Sequence, residues 1–181
     1  MAKENFKIVD KESGKEYWIS RSMAVTCVVV AIDEKGKLYF LAEKRGKGCP
    51  DFVGYWCNPC GYLGWDETLK QAALRELYEE TGIDWRDRVD EENFICEWSI
   101  MDNPMDNAKQ NVTVRFAIAT DYESLADHVF NLNSSDRGGE TDEVEEIRLI
   151  PEDEIDNYKW AWNHDQLIKE IIDVSRDKDE G

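Results

Sequence analysis

Apolar positions along the chain fall into short β-type runs and two helical stripes. Met23 to Ile32 (MAVTCVVVAI) is β-branched and apolar, and Leu38 to Leu41 (LYFL) follows the polar turn Asp33-Glu34-Lys35-Gly36-Lys37. Two such runs about a glycine-bearing turn predict a β-hairpin. Phe94, Cys96, Trp98 and Ile100 alternate with Ile95, Glu97, Ser99 and Met101. Val112, Val114, Phe116 and Ile118 alternate with Thr113, Arg115 and Ala117, so each set predicts a strand. Val144 to Ile150 is read as a last strand, and Tyr17-Trp18-Ile19 as an early one after a turn at Ser13-Gly14. One helix is expected from Glu67 to Thr81, capped by Gly82. A second is expected from Trp160 to Val174, with Leu167, Ile168, Ile171 and Ile172 at helical spacing. Tyr122 to Thr141 is polar, contains Gly138-Gly139 and is read as a loop with one helical turn at most. Strands then helix, twice over, predict an α+β chain or an α/β/α sandwich. With no repeat or linker, 1–181 is read as one domain. Residues 1–22 are an extension or edge strands and 176–181 a frayed tail.

Composition narrows the function classes. The 181 residues carry 22 Lys+Arg against 40 Asp+Glu, a net charge of -18. That balance disfavours binding a nucleic-acid polymer through a basic face. At 41% hydrophobic, the chain is not a disordered acidic segment. No apolar stretch approaches the roughly 20 residues that span a bilayer, so a transmembrane helix and a membrane partner are not expected. Met1 to Lys7 (MAKENFK) lacks the apolar core of a signal peptide. Five cysteines, an odd number without a leader, predict reduced thiols and a cytoplasmic protein. Cys57-x-x-Cys60, even with Cys49, is an incomplete zinc set. Of the aromatics Phe52, Tyr55, Trp56, Tyr62 and Trp65, most are expected in the core, with one available to stack on a base.

The first helix breaks its own pattern. On a wheel advancing about 100° per residue, with Leu69 at zero, Ala72 falls at about 300° and Ala73 at about 40°. Glu76 then falls at about 340°, Glu80 at about 20° and Glu79 at about 280°. Glu76 and Glu80 therefore extend the inward stripe, while Lys70, Gln71 and Tyr78 take the opposite side. Inward carboxylates repel and lose hydration unless a positive charge joins them. A shared hard cation such as Mg²⁺ resolves this, and so does a salt bridge to Arg75, Arg45 or Arg115.

Gly61, five residues, Glu67, seven residues, then Arg75-Glu76-Leu77-Tyr78-Glu79-Glu80-Thr81-Gly82-Ile83 matches the Nudix box at every position. By this segment the chain resembles the Nudix hydrolases, and the flanking strands extend the resemblance over Met23 to Ile155. The resemblance implies an α/β/α sandwich with a mixed β-sheet. It further implies hydrolysis of a diphosphate linkage in a nucleoside diphosphate derivative, of the nucleoside triphosphate or nucleotide-sugar type, with Mg²⁺ or Mn²⁺. It makes Glu76, Glu79 and Glu80 metal ligands, Glu76 or Glu79 of the box or else an acid on a distal loop the catalytic base, and Arg75 the group that orients a glutamate. Glu67 would structure the loop, and Gly61 would leave backbone room near the metal and substrate. Glu143, or failing it Glu140, stands where relatives often supply a further acidic ligand. Lys44 and Arg45 occupy a common phosphate-contact position, Arg45 with the better grip. Relatives are often dimers, so a homodimer through the first 22 residues is an expectation too.

The entry to the box departs from the usual Pro-Gly-Gly, reading Tyr55-Trp56-Cys57-Asn58-Pro59-Cys60-Gly61. This resembles the isopentenyl-diphosphate isomerases, a branch of the same superfamily, whose catalytic cysteine matches Cys60. Their metal-binding histidine is Tyr62 here, and only His128 and His164 exist, both late in the chain. An isomerase-like enzyme and a non-catalytic nucleotide-binding domain remain the alternatives to the hydrolase.

Overall fold

The computed structural model describes residues 5–104, 111–134 and 142–177. A hairpin of β1 (Phe6–Val9) and β2 (Glu16–Ile19) stands as its own two-stranded sheet. The main sheet is built around β3 (Met23–Ile32). Its hairpin partner is β4 (Leu38–Arg45), and β8 (Val112–Asp121) runs parallel to it from Met23↔Val112 to Ile32↔Asp121. β7 (Cys96–Met101) pairs with β8, and β9 (Val144–Pro151) with the outer edge of β4. The sheet is therefore mixed.

Both faces of this sheet are covered. Val25, Cys27, Val29 and Ala31 of β3 pack in one core with α1 (Leu69–Thr81) and α2 (Tyr122–Ser134). Val28 and Val30 point to the other face, where Leu167, Ile168, Ile171 and Ile172 of α3 (His164–Asp177) cover them. Burial on both sides is why β3 reads as a continuous apolar run rather than an alternation. The α/β/α sandwich implied by the resemblance is the architecture observed.

What positions the site is a wedge in this sheet. β3 and β4 pair only from Val30↔Phe40 to Ile32↔Leu38 and then part. Into the gap come β5 (Trp56–Cys57), paired with Glu43 and Lys44, and β6 (Cys60–Tyr62), paired with Ala24 to Thr26. Such short strands, with no pattern of their own, hold because edges on both sides are waiting for them.

Four expectations are corrected. The segment read as a polar loop is helical over Tyr122–Ser134. Leu125 and Val129, four residues apart, enter the core, and the Ser124 N–H is capped by Asp121 Oδ1 at 2.9 Å. So thin an apolar stripe reads as solvated until the sheet receives it. α3 begins at His164, not Trp160: Trp162 (φ 51°) and Asn163 (φ 59°) are left-handed, and Trp160 bridges Trp56 instead. α3 also continues through Asp177, past the start of the expected fray. Of the aromatics before α1, only Trp56 is buried; Phe52, Tyr55, Tyr62 and Trp65 are exposed, Trp65 at 91%.

Candidate active site

Local chemistry fixes α1 first. Thr68 is its N-cap, in a reciprocal capping box with Gln71, and Gly82 closes its end at φ 73°. Glu67, expected inside the helix, lies before it and accepts the Gly64 N–H at 2.6 Å. The fully buried face of α1 is Ala72, Ala73, Leu74, Leu77 and Thr81, centred on Leu77. Glu76 and Glu80 flank that face where the helix passes β6, so they turn inward at its edge.

Arg75 ties the motif together. Its guanidinium donates to both oxygens of Glu67 (2.9 and 2.7 Å), to Glu76 Oε1 (2.7 Å), to Glu79 Oε2 (2.9 Å) and to the Tyr62 carbonyl (3.0 Å). Its first effect on charge is at Glu67, whose carboxyl it holds below the usual range. The salt bridge weighed for Glu76 is thus present, while Glu80 is partnered differently: it accepts the Cys60 backbone N–H at 2.9 Å.

A cavity of about 450 Å³ opens where β3 and β4 part. Glu76, Glu80, Glu143, Gly61 and Arg45 all line it. Glu79 and Arg75 do not: Glu79 is 54% exposed on the Arg75 side. Glu140 lies outside the described residues. Glu143 is placed by backbone contacts, its carbonyl accepting the Gly46 N–H at 2.6 Å while that of Asp142 accepts the Gly48 N–H at 2.7 Å. Arg45 is buried, bonded to Asp51 through Nε and Nη2 (both 3.1 Å) and stacked 4.4 Å from the Trp162 ring. Lys44 pairs with Glu145 at 2.7 Å.

Sequence reasoning gave no site role to Glu43, Asp51 or His164, and weighed Arg115 only as a salt-bridge partner of the helix carboxylates. Glu43 was hidden just past the apolar run Leu38 to Leu41, Arg115 as the polar member of a strand alternation, and His164 as a lone histidine. Arg115 reaches Met101 Sδ, a weak acceptor, at 3.5 Å and Glu170 at 3.9 Å, a long contact for a guanidinium and a carboxylate. The His164 Nδ1 accepts the Asn58 N–H at 3.0 Å, and burial, then Arg115 and Arg45, hold its pKa down to about 3. It is a neutral imidazole.

Three carboxyls of the wall, Glu43, Glu76 and Glu80, are raised. Burial pushes Glu43 up to about 7, with the charges of Glu76 and Glu143 adding to it. Burial also raises Glu76, and burial with Glu43 nearby lifts Glu80 well above the ordinary range. Among the described residues no three carboxylates, thiols or imidazoles form a ready-made metal cage. The donor set nevertheless suits a hard divalent cation. It is all carboxylate oxygen, it is short of positive charge, and Gly61 leaves its Cβ space to the Glu76 carboxylate. The cysteines suit it less: all five are free thiols, and Cys57 is engaged with Glu43.

The family model described as NUDIX domain matches residues 21–171. Over 62 residues the chain is 45% identical to the Phosphatase NudJ of Escherichia coli (strain K12), a stretch making up 34% of this chain and 35% of that protein. The match thus spans only about a third of that relative's length. The NUDIX domain of Shewanella oneidensis NrtR, complexed with ADP ribose, superposes with TM-score 0.64 at 21% identity, covering 91% of this chain and 92% of that one. A bifunctional NMN adenylyltransferase/ADP ribose pyrophosphatase from Francisella tularensis, complexed with AMP and Mn ion, gives 0.63 at 20%, covering 86% and 42%. At such identities the two structures share the fold.

Proposed function

The chain belongs to the NUDIX domain family, and on that premise we propose that it hydrolyses the diphosphate linkage of a nucleoside diphosphate derivative with the help of Mg²⁺ or Mn²⁺. One observation carries this reading: Glu76 and Glu80 of the motif meet Glu143 and two arginines, Arg45 and Arg115, in one cavity. The ADP ribose on the NrtR domain and the Mn ion in the Francisella tularensis protein support it.

Glu76, Glu80 and Glu143 would hold the cation, which supplies an acidified water and offsets charge on the bridging phosphate oxygens. Arg75 orients Glu76 through their 2.7 Å bond and keeps Glu79 within one helical turn of it. A carboxylate of the motif, Glu76 on the cavity wall or Glu79 beside it on Arg75, would accept the proton of the attacking water. Arg115, held only by a sulfur and a long contact to Glu170, receives anionic oxygens of the substrate, and Arg45, stacked on Trp162, adds positive charge. These two cations also draw a small anionic substrate toward a chain of net charge -18, which itself repels a nucleic-acid polymer and suits a soluble, cytoplasmic enzyme.

The test is a panel of nucleoside triphosphates, dinucleoside polyphosphates, ADP-ribose and NADH with Mg²⁺, for the wild type and Glu80→Gln. Cation-dependent release of phosphate, pyrophosphate or nucleoside monophosphate, lost in Glu80→Gln, is expected. An unchanged rate in the variant removes the motif from the mechanism, and binding without turnover makes the chain a nucleotide-binding domain. A second reading, an isomerase of diphosphate esters, is kept for one observation: Cys60 lines the cavity and its N–H holds Glu80. Full activity in Cys60→Ser eliminates it.

A further inference from the structure

We propose that Glu43, which lies outside the sequence motif, is a fourth carboxylate of the divalent-cation site beside Glu76, Glu80 and Glu143, held in position by the Cys57 thiol. The inference rests on the cation site of the proposed function and extends it to a residue of the sheet.

Glu43 is fixed from both sides. On one edge of β4 it pairs with Cys57 of β5, and on the other with Ile147 of β9. Its side chain lines the cavity although the residue is only 1% exposed. The Cys57 thiol donates to Oε1 at 3.2 Å, which leaves Oε2 as the oxygen without a hydrogen-bond partner. A buried carboxylate oxygen in that condition is costly, and folded proteins retain one where something is meant to fill the vacancy.

The protein groups nearby do not fill it. Arg45 lies two residues along the same strand, but its guanidinium is bonded to Asp51 and stacked on Trp162, and it forms no salt bridge with Glu43. Of the other acids of the cavity, Asp51 is engaged by Arg45, and Glu76, Glu80 and Glu143 are of the same sign. Glu43, Glu76, Glu80 and Glu143 repel across one cavity unless a cation joins them, and the residue that carries the orphaned oxygen belongs to its wall. A hard cation with several oxygen ligands accounts for both facts at once. Glu79, which the motif would place among the ligands, is instead 54% exposed and bonded to Arg75. The sheet thus offers the cavity a carboxylate where the helix withholds one.

The probe is Mn²⁺ added to metal-free protein, read by calorimetric titration and by electron paramagnetic resonance of the free ion, with no substrate present. Glu43→Gln is expected to weaken Mn²⁺ binding by roughly 10- to 100-fold. The same variant should melt no lower than wild type in EDTA, because it removes an uncompensated charge, and should lose most of the rise in Tm that Mn²⁺ gives the wild type. Cys57→Ser keeps a donor and should bind Mn²⁺ nearly as the wild type does, whereas Cys57→Ala should lie between wild type and Glu43→Gln. If Glu43→Gln does not fold, Glu43→Asp, with the charge drawn back by one methylene, must show the weaker binding. Unchanged Mn²⁺ affinity in the Glu43 variant overturns the proposal, as does a wild type that takes up no Mn²⁺. Tight, Glu43-dependent Mn²⁺ binding in a protein that turns over no diphosphate would support this site and defeat the hydrolase reading.

Discussion

Glu76 Oε1 lies over the α-carbon of Gly61, so close that a methyl group there would fall inside its van der Waals shell. Gly61 is not among the residues with left-handed φ, so its backbone accepts alanine, and the atoms in the way are the end of a flexible side chain. Gly61→Ala should therefore fold and melt within a few degrees of wild type while displacing the Glu76 carboxylate. A misplacement of this kind should lower Mg²⁺-dependent turnover by roughly 100-fold. Thermal melting and a phosphate-release assay on the same sample check both halves, and full activity would mean that the carboxylate's position is immaterial.

Arg75 holds three carboxylates and a carbonyl with one planar fork, which an ammonium cannot reproduce. Arg75→Lys keeps the charge but leaves acceptors around Glu67 and Glu76 unserved. It should cost about 1–3 kcal/mol of stability in urea unfolding. A lysine variant as stable as wild type would show that charge alone, rather than the fork, organises the loop.

His164 sets a pH dependence of definite sign. Its folded pKa is depressed from 6.5 to about 3, so below pH 6.5 the unfolded chain takes up a proton that the native state refuses. Stability is complete on this account above pH 6.5 and is lost as pH falls toward 3, by up to about 1.4 kcal/mol per pH unit. Glu43, raised from 4.5 to about 7, acts in the opposite sense over the overlapping range in metal-free protein. The difference between wild type and His164→Gln, measured by denaturant unfolding from pH 7 to pH 5 in EDTA, isolates the imidazole. The variant should lose less stability on acidification, and parallel curves would refute the assignment.

A Cβ on Gly46 would run into the carbonyl oxygen of Asp142, a backbone atom that cannot swing away. Gly46→Ala should push the Asp142–Glu143 turn off its hydrogen bonds, at a cost of about 1–3 kcal/mol. It should also weaken Mn²⁺ binding by moving Glu143. Lys47→Ala, at the exposed residue between the two glycines, should stay within about 0.5 kcal/mol of wild type. Equal melting and equal Mn²⁺ titration in the two variants would contradict the role given to this turn.

Elements with strong local signals were legible in the sequence. The β3–β4 hairpin announces itself by its β-branched run and turn, and α1 by its cap glycine and stripe. The inward position of Glu76 and Glu80 followed from helical geometry. α2 was not legible because two buried side chains, Leu125 and Val129, make too faint a stripe. β5 and β6 were not because two- and three-residue strands take their structure wholly from the edges they fill. The start of α3 was missed because left-handed Trp162 and Asn163 respond to packing on Phe52, Arg45 and His164, not to propensity.

By itself the sequence determined the motif helix, the sandwich class and the acidic character of the site, all of which depend on neighbours a few residues apart. Only the tertiary structure decided the membership of the cavity. It brought in Glu43, Arg115 and His164 from three separate elements and left Glu79 outside with Arg75. The reason lies in strand register: Arg115 stands beside Thr26 through the parallel pairing of β3 with β8, and Glu43 beside Cys57 only once β3 and β4 have parted and β5 has filled the edge. Such adjacencies span tens of residues of chain and leave no periodic trace along it.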